Sequence, residues 1–129
     1  MLFLSFHSQE ERRAYGSSAF LELQFCRLPA HMSVKERVTV EHIRHWQNDS
    51  LYVADENKFC REYGHIFGCG IYNNLKSGPV DPYGINYYPP TCIDTILKQL
   101  LLDQPSDYEM LVHWLEKAKP YNGFYILGI

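Results

Sequence analysis

The stretch of sequence that decides the fold is Thr91–Leu127, TCIDTILKQLLLDQPSDYEMLVHWLEKAKPYNGFYIL. Two of its segments carry apolar residues at intervals of three and four, which is the spacing of one face of an α-helix. The first stripe is Ile93, Ile96, Leu97, Leu100 and Leu101, and the second is Leu111, Val112 and Leu115. The sequence therefore predicts two amphipathic helices, each with one face toward a core.

Signals at the ends of these helices support the prediction. Thr91 can cap the first helix, and Ser106-Asp-Tyr-Glu109 has the form of a capping box for the second. Pro120 ends the second helix, and Asn122-Gly123 turns the chain into the apolar run Phe124–Leu127. Because a short apolar run of this kind is typical of a fully buried strand, we expect Phe124–Leu127 to lie inside a sheet.

The N-terminal part of the chain predicts a short helix followed by a strand. Ser8-Gln-Glu-Glu11 is a capping box, since the serine hydroxyl can accept the third helical N–H while the glutamate reaches back to the cap. Gly16 offers a left-handed end to that helix. From Ala19 to Leu28 apolar and polar residues alternate, which indicates a half-buried strand ended by Pro29.

The segment from Glu36 to Trp46 fits both a strand and part of a helical stripe. We prefer a strand, because Gln47–Ser50 has turn chemistry and Leu51–Val53 can return as a hairpin partner. Further along, Asp55 to Tyr63 predicts a short helix, with Asp55 and Glu56 as solvated charges at its cap.

Gly64 would end that helix, and His65 to Tyr72 predicts another strand. Together these elements predict an α+β fold. We expect one domain, residues 1–129, with a mostly antiparallel sheet packed against the C-terminal helix pair.

The composition agrees with one ordinary cytoplasmic domain. The chain has 129 residues, 46% of them hydrophobic. The opening apolar run Met1–Phe6 is too short for a signal peptide or a membrane span, so we expect a cytoplasmic protein with no membrane partner. The four cysteines form no CxxC pair, and we expect free thiols in a reducing compartment.

Charge is distributed unevenly along the chain. Residues 1–46 carry six basic and five acidic side chains, whereas residues 47–129 carry six basic and ten acidic ones. Nucleic-acid-binding proteins concentrate positive charge instead. We therefore expect no direct contact with nucleic acid, and a basic protein as the partner.

Residues that could bind a metal lack the required spacing. The candidate ligands are His42, His45, Cys60, His65 and Cys69. They form neither HExxH nor a paired CxxC. The sequence Gly68-Cys-Gly70 also lacks the third glycine and the Lys-Ser/Thr of a phosphate-binding loop. We expect no metal and no cofactor.

A cysteine nucleophile with a histidine base is the enzyme chemistry that the residue types permit. Cys60 or Cys92 could pair with His65 or His113, and Cys92 would lie near a helix N-terminus, which lowers the pKa of a thiol. A nucleophile needs its base within hydrogen-bond reach, and no local signature surrounds either cysteine. We expect no catalytic residues and keep a Cys/His hydrolase as a minor alternative.

Residues 73–90 are punctuated by glycine, proline and asparagine, and they predict a long irregular segment. Tyrosine supplies a large contact area at low entropy cost, and asparagine and aspartate supply adaptable hydrogen bonds. The same tyrosines could instead anchor the segment on its own domain. We predict a partner-binding surface. Its candidate residues are Asp55, Glu56, Tyr72, Asp81, Tyr83, Asn86, Tyr87 and Tyr88.

Three stretches carry a family resemblance: Asp81-Pro-Tyr-Gly-Ile-Asn-Tyr-Tyr88, Trp114-Leu-Glu, and Tyr121-Asn-Gly-Phe-Tyr-Ile-Leu-Gly128. With the size of the chain, they resemble the immunity proteins that bacteria encode beside toxins of contact-dependent growth inhibition. The resemblance implies a cytosolic inhibitor that binds a cognate toxin, often a nuclease, and covers its active site or substrate path. The resemblance does not identify which residues of this chain would contact the toxin.

One alternative function stays open beside the inhibitor. Residues 72–88 could line a pocket for a small polar ligand in a regulatory or accessory domain. A concave site there would favour the ligand, and a flat or convex tyrosine surface would favour a protein partner.

Overall fold

The computed structural model of the chain describes residues 1–15 and 20–128. Its fold is α+β, as predicted, with a seven-stranded antiparallel sheet. The strands are β1 (Phe3–Leu4), β2 (Leu21–Phe25), β3 (Leu51–Val53), β4 (Gly70–Ile71), β5 (Ser77–Gly78), β6 (Ile85–Tyr88) and β7 (Phe124–Leu127). The helices are α1 (Gln9–Ala14), α2 (Val34–Arg37), α3 (Glu56–Tyr63), α4 (Ile93–Asp103) and α5 (Tyr108–Ala118), with 3₁₀ turns at Val40–His42 and Pro90–Cys92.

The strand order is β1-β3-β2-β7-β6-β4-β5. The predicted interior strand Phe124–Leu127 is β7, and it lies between β2 and β6 at the centre of the sheet. Its four residues are all buried. Gly123 precedes β7 with φ +87°, and a side chain there would meet the carbonyl oxygen of Tyr88 at 2.1 Å. Glycine is therefore required where the chain enters the central strand.

One face of the sheet packs against α3, α4 and α5. The predicted stripes Ile93–Leu100 and Leu111–Leu115 supply buried residues to this core, which confirms the C-terminal helix pair. Trp114 stacks on Phe25 of β2 with ring centroids 4.3 Å apart. Leu101, predicted to belong to the first stripe, is instead 57% exposed. It lies beyond the arc of the helix that faces the sheet.

The other face of the sheet is covered by α1, α2 and the segment between β2 and β3. Two apolar clusters lie here, one around Tyr87 and Tyr125 and the other around Phe20 and Tyr52. Strand β2 was predicted to be half-buried, and this is wrong, because all five of its residues are buried. Its polar side chains, Glu22 and Gln24, point toward the segment between β2 and β3 that covers this face, rather than into water.

The preferred strand from Glu36 to Trp46 is not formed. The segment contains the end of α2 and the 3₁₀ turn Val40–His42. Its expected partner, β3, already has β1 on one edge and β2 on the other, so no edge is free to pair with it. The backbone of the segment bonds to side chains of β2 instead, through Arg44 and Trp46.

Two further predictions were wrong in the middle of the chain. Of the strand predicted for His65 to Tyr72, only Gly70–Ile71 pairs, because the chain after α3 continues in turns closed by bonds from Ile66 N and Phe67 N to the Tyr63 carbonyl. Residues 73–90, predicted to be irregular, contain β5 and β6. β6, Ile-Asn-Tyr-Tyr, is covered on both faces and shows no apolar–polar alternation, so its sequence does not have the pattern of a half-buried strand.

The helix caps were predicted with mixed success. Ser8 accepts the N–H of Glu11 at 3.1 Å, as its capping box required, and Asp55 caps α3. Thr91 is not a cap, since a 3₁₀ turn precedes α4. Ser106 is not a cap either, because it bonds to Glu62 while Asp107 begins α5. Gly16 and Ala19, the predicted helix stop and strand start, lie outside the described residues.

Candidate protein-binding surface

Strand pairing brings several predicted contact residues to one end of the sheet. Val53 at the end of β3 lies opposite Leu21 at the start of β2. Glu22 lies opposite Leu127 at the end of β7, and Leu127 opposite Ile85 at the start of β6. The chain after β3 and the chain before β6 therefore emerge at the same end, three strand spacings or about 14 Å apart. We call this the Tyr83 end of the sheet.

A hydrogen-bonded turn, Asp81–Gly84, projects from this end, and we call it the tyrosine turn. The carboxylate of Asp81 accepts the N–H of Tyr83 at 3.0 Å. The side chain of Asn86 accepts from Asp81 N at 2.8 Å and donates to Asp81 O at 2.9 Å. Gly128 N donates to the Gly84 carbonyl at 2.7 Å. These bonds fix the turn, and the ring of Tyr83 is left 78% exposed.

A shallow cavity of about 250 Å³ lies beside the tyrosine turn. Its apolar lining includes Val40, Ile43 and Ile85, and Val40 is 63% exposed. Ligand pockets commonly enclose about 300–1,000 Å³. This cavity is smaller, and its size suits one side chain of a protein partner.

One carboxylate, Asp81, lies within the tyrosine turn, and two others, Asp55 and Glu56, lie about 14 Å away at the same end of the sheet. Asp55 and Asp81 are exposed and Glu56 is partly exposed. Asp55 caps α3 by accepting the N–H of Lys58 at 3.0 Å. Within residues 1–15 and 20–128, none of the three carboxylates takes part in an ion pair. The end of the sheet therefore presents an aromatic ring beside negative charge.

The prediction that three further residues contact a partner is wrong, because their side chains have no exposed surface. Asn86, Tyr87 and Tyr88 are all 0% exposed. Asn86 holds the tyrosine turn and also donates to the Ile126 carbonyl at 2.9 Å. The hydroxyl of Tyr87 donates to Asn122 O at 2.6 Å. These side chains belong to the interior, because β6 is a central strand covered on both faces.

Tyr88 and Tyr72 also donate to backbone carbonyls within the chain. The hydroxyl of Tyr88 bonds to Phe67 O at 2.8 Å, and its ring stacks on Phe124 with centroids 4.8 Å apart. Tyr72 is half-buried and its hydroxyl donates to Pro79 O. Of the predicted tyrosines, Tyr83 is thus the one that stands free of the fold.

The cysteines and histidines proposed for catalysis do not form a nucleophile–base pair in the part of the chain that the structure describes. Cys92 and His65 line one cavity of about 390 Å³. His65 Nε2 lies 2.6 Å from Asp103 Oδ2, and among the described residues no hydrogen bond joins the His65 ring to Cys92. Burial, followed by the neighbouring thiol of Cys69, raises the pKa of Cys92, opposite to the shift that activates a thiol. No group of three potential metal ligands is found among the described residues either.

Sequence reasoning missed three contributors to the surface, Val40, Ile43 and Gly128. Val40 and Ile43 were assigned to a strand, so their position beside Tyr83 was not foreseen. The available signal in the sequence was a valine, Val40, followed by polar residues. Gly128 was also missed, although a side chain there would meet Gly84 N at 2.5 Å and Pro82 O at 2.6 Å. The tyrosine turn can lie against β7 because this residue has no side chain.

Comparison with family models, with curated proteins and with solved structures found no match to this chain. Among the described residues, no helix combines the length and the apolar character needed to cross a bilayer.

Proposed function

We propose that the chain is an immunity protein that binds and neutralises a basic toxin. The family resemblance implies that this toxin is a nuclease. The observation that carries the proposal is Tyr83, 78% exposed on a turn held by its own hydrogen bonds. A tyrosine on a fixed turn loses little conformational entropy on binding, because its side chain has only two torsion angles to order. It can act as the aromatic anchor of an interface.

The charges around Tyr83 support a basic partner. Asp55, Glu56 and Asp81 lie at the same end of the sheet as the anchor. A nuclease presents a positively charged cleft to its substrate, and carboxylates that face such a cleft speed association and suppress wrong partners. The proposed inhibitor would occupy the path of the nucleic acid with Tyr83 at the centre of the contact.

The test uses the protein encoded by the neighbouring reading frame. Expression of that protein alone should stop growth, and co-expression of this chain should restore it through a complex that co-elutes on size exclusion. Replacement of Tyr83 by Ala should weaken the complex by about 2 kcal/mol, roughly 30-fold in Kd. Tyr15→Ala is the matched control, because Tyr15 is also exposed (56%) but follows α1 and belongs neither to the tyrosine turn nor to the lining of the cavity beside it.

Two results would overturn the proposal. The first is a neighbouring gene product that neither arrests growth nor forms a complex with this chain. The second is a complex that Tyr83→Ala and Tyr15→Ala weaken equally. That result would mean that the toxin does not bind through the Tyr83 end of the sheet.

The alternative function, binding of a small ligand, is supported by a cavity outside residues 72–88, where the sequence predicted the ligand pocket. A space of about 380 Å³, within the usual range for ligands, lies between α5 and the start of β3. Trp114 and Phe25 line it together with His7, His113 and Lys117. An anionic aromatic probe such as anilinonaphthalene sulfonate should quench Trp114 fluorescence if this cavity binds ligands. An unchanged emission spectrum at millimolar probe would remove this alternative.

A further inference from the structure

Two cysteines that are far apart in sequence meet at the other end of the sheet. Cys69 lies in the turn before β4, and Cys92 ends the 3₁₀ turn that leads into α4. Both line the cavity of about 390 Å³ beside α4. The Cys69 thiol lies near enough to Cys92 to raise the pKa of its thiol further, beyond the larger effect of burial. Cys69 is exposed and Cys92 is partly exposed, so a small reagent can reach the pair.

The fold holds the two cysteine-bearing segments in place. Ile71 of β4 lies opposite Tyr87 of β6, so the chain before β4 and the chain after β6 run side by side. The hydroxyl of Tyr88 donates to Phe67 O at 2.8 Å and ties the same two segments together. The proximity of the thiols therefore follows from buried contacts and not from a chance position of exposed loops.

We propose that Cys69 and Cys92 are a reversible disulfide pair, oxidised by small disulfides such as oxidised glutathione. The exposed Cys69 attacks one glutathione sulfur as its thiolate, which breaks the glutathione disulfide and releases one glutathione thiolate. Cys92 then attacks the sulfur of Cys69, forms the protein disulfide and releases the second glutathione. Two electrons pass from the protein thiols to glutathione disulfide, and the two thiol protons end on the released glutathione molecules.

The remaining cysteines supply internal controls. Cys26 is 0% exposed, with its sulfur 3.3 Å from the hydroxyl of Tyr125. Cys60 is exposed on α3 and does not line the cavity that holds the pair. Reaction with oxidised glutathione should therefore give a mixed disulfide at Cys60 but an internal disulfide at Cys69 and Cys92.

The disulfide would close the loop from residue 69 to residue 92, which contains β5, the tyrosine turn and β6. A crosslink of this kind stabilises the fold chiefly by restricting the unfolded chain. The oxidised protein should melt about 5–10 °C above the reduced one. Tyr83 lies at the far end of the sheet, so oxidation should leave its exposure unchanged.

The experiment treats the Cys60→Ser protein with oxidised glutathione and maps the disulfides by trypsin digestion and mass spectrometry. The four cysteines fall in different tryptic peptides: 14–27, 59–61, 62–76 and 77–98. The expected product joins 62–76 to 77–98 with the loss of two hydrogens, disappears with dithiothreitol, and is absent from Cys69→Ser and Cys92→Ser proteins. Circular dichroism checks that the serine variants are folded.

A second probe reports proximity without oxidation. Phenylarsine oxide condenses with two neighbouring thiols and loses one water, so Cys60→Ser should take up one arsenic, and further replacement of Cys69 or Cys92 should abolish uptake. Glutathione left as a stable adduct on Cys69, with no 62–76 to 77–98 crosslink, would overturn the proposal. So would arsenic uptake that persists in the Cys92→Ser protein.

Discussion

The carboxylate of Glu22 accepts the backbone N–H of Trp46 at 2.8 Å, and Trp46 adopts the left-handed conformation with φ 70°. A tryptophan in this region costs about 1–2 kcal/mol. The same carboxylate, 2% exposed as a residue, also accepts from Ser50 at 2.6 Å and from Gln24 at 2.9 Å. One buried glutamate thus holds the segment between β2 and β3 on the second face of the sheet.

Replacement of Glu22 by Gln should therefore destabilise the fold by about 1–3 kcal/mol, because an amide cannot accept all of these donors and some would stay buried and unpaired. Urea denaturation at pH 7 measures the loss. The exposed Glu109 gives the matched control, and Glu109→Gln should change stability by less than about 0.5 kcal/mol. Equal stability of Glu22→Gln and wild type would contradict the anchoring role.

The acid stability of the protein should depend on the same group. Burial raises the pKa of Glu22, but contacts with His45, Ser50, Trp46 and Gln24 lower it by more, so its pKa in the folded state lies below the ordinary 4.5. Its contribution is then present above pH 4.5 and is lost as the pH falls through the folded pKa. Denaturation midpoints of the wild type should drop more steeply below pH 4.5 than those of Glu22→Gln.

His45 should titrate above an ordinary histidine. The Glu22 carboxylate, 3.7 Å from His45 Nδ1, raises the pKa of His45 above 6.5, against the opposing effects of burial and of Arg12. Stability from this contact is fully present below pH 6.5 and is lost as the pH rises through the folded pKa. NMR titration of the His45 ring protons should show the raised pKa, and Glu22→Gln should lower it. An identical titration in both proteins would refute the pairing.

Tyr83 and Tyr87 should respond to mutation in opposite ways. The sequence placed both in the contact surface, but Tyr87 is 0% exposed and Tyr83 is 78% exposed. Tyr87→Ala should cost about 3–5 kcal/mol, because it leaves a cavity and unpairs the Asn122 carbonyl and the guanidinium of Arg37. Tyr83→Ala should change stability by less than about 0.5 kcal/mol. Thermal denaturation compares the two, and similar melting temperatures would be inconsistent with the burial described.

The tyrosine turn should move when Gly128 gains a side chain. A Cβ at Gly128 would lie 2.5 Å from Gly84 N, so Gly128→Ala must push the turn away from β7, at a cost of about 1–3 kcal/mol. Gly68→Ala is the control, since its nearest neighbour would be Gly64 O at 3.8 Å. Amide chemical shifts of residues 81–84 should change in the first variant and not in the second. Unchanged shifts in both would mean that Gly128 does not support the turn.

Part of the candidate surface could be found from sequence. Tyr83 and Asp81 belong to a turn signature, Asp-Pro-Tyr-Gly, that is recognisable without a structure. Asn86, Tyr87 and Tyr88 follow one residue after this turn and are of similar residue types, yet they belong to a buried strand. Composition identified residues 81–88 as a candidate contact segment. It could not separate the exposed turn residues from the buried strand residues, because that boundary depends on where β6 begins in the assembled sheet.

The sequence by itself determined the elements whose signals are local. The apolar stripes of α4 and α5, the Ser8 and Asp55 caps and the apolar run of β7 depend on residues within a few positions of one another. Helical periodicity and capping chemistry are complete in such short windows.

Only the tertiary structure decided which edges and faces were already occupied. β1 and β2 fill both edges of β3, which left residues 36–46 to form helical turns over the second face. The same packing buried Glu22 and Tyr87 while leaving Tyr83 in solvent, and it brought Cys69 to Cys92. These outcomes require contacts between residues far apart in the chain, and such contacts form only when the whole sheet is assembled.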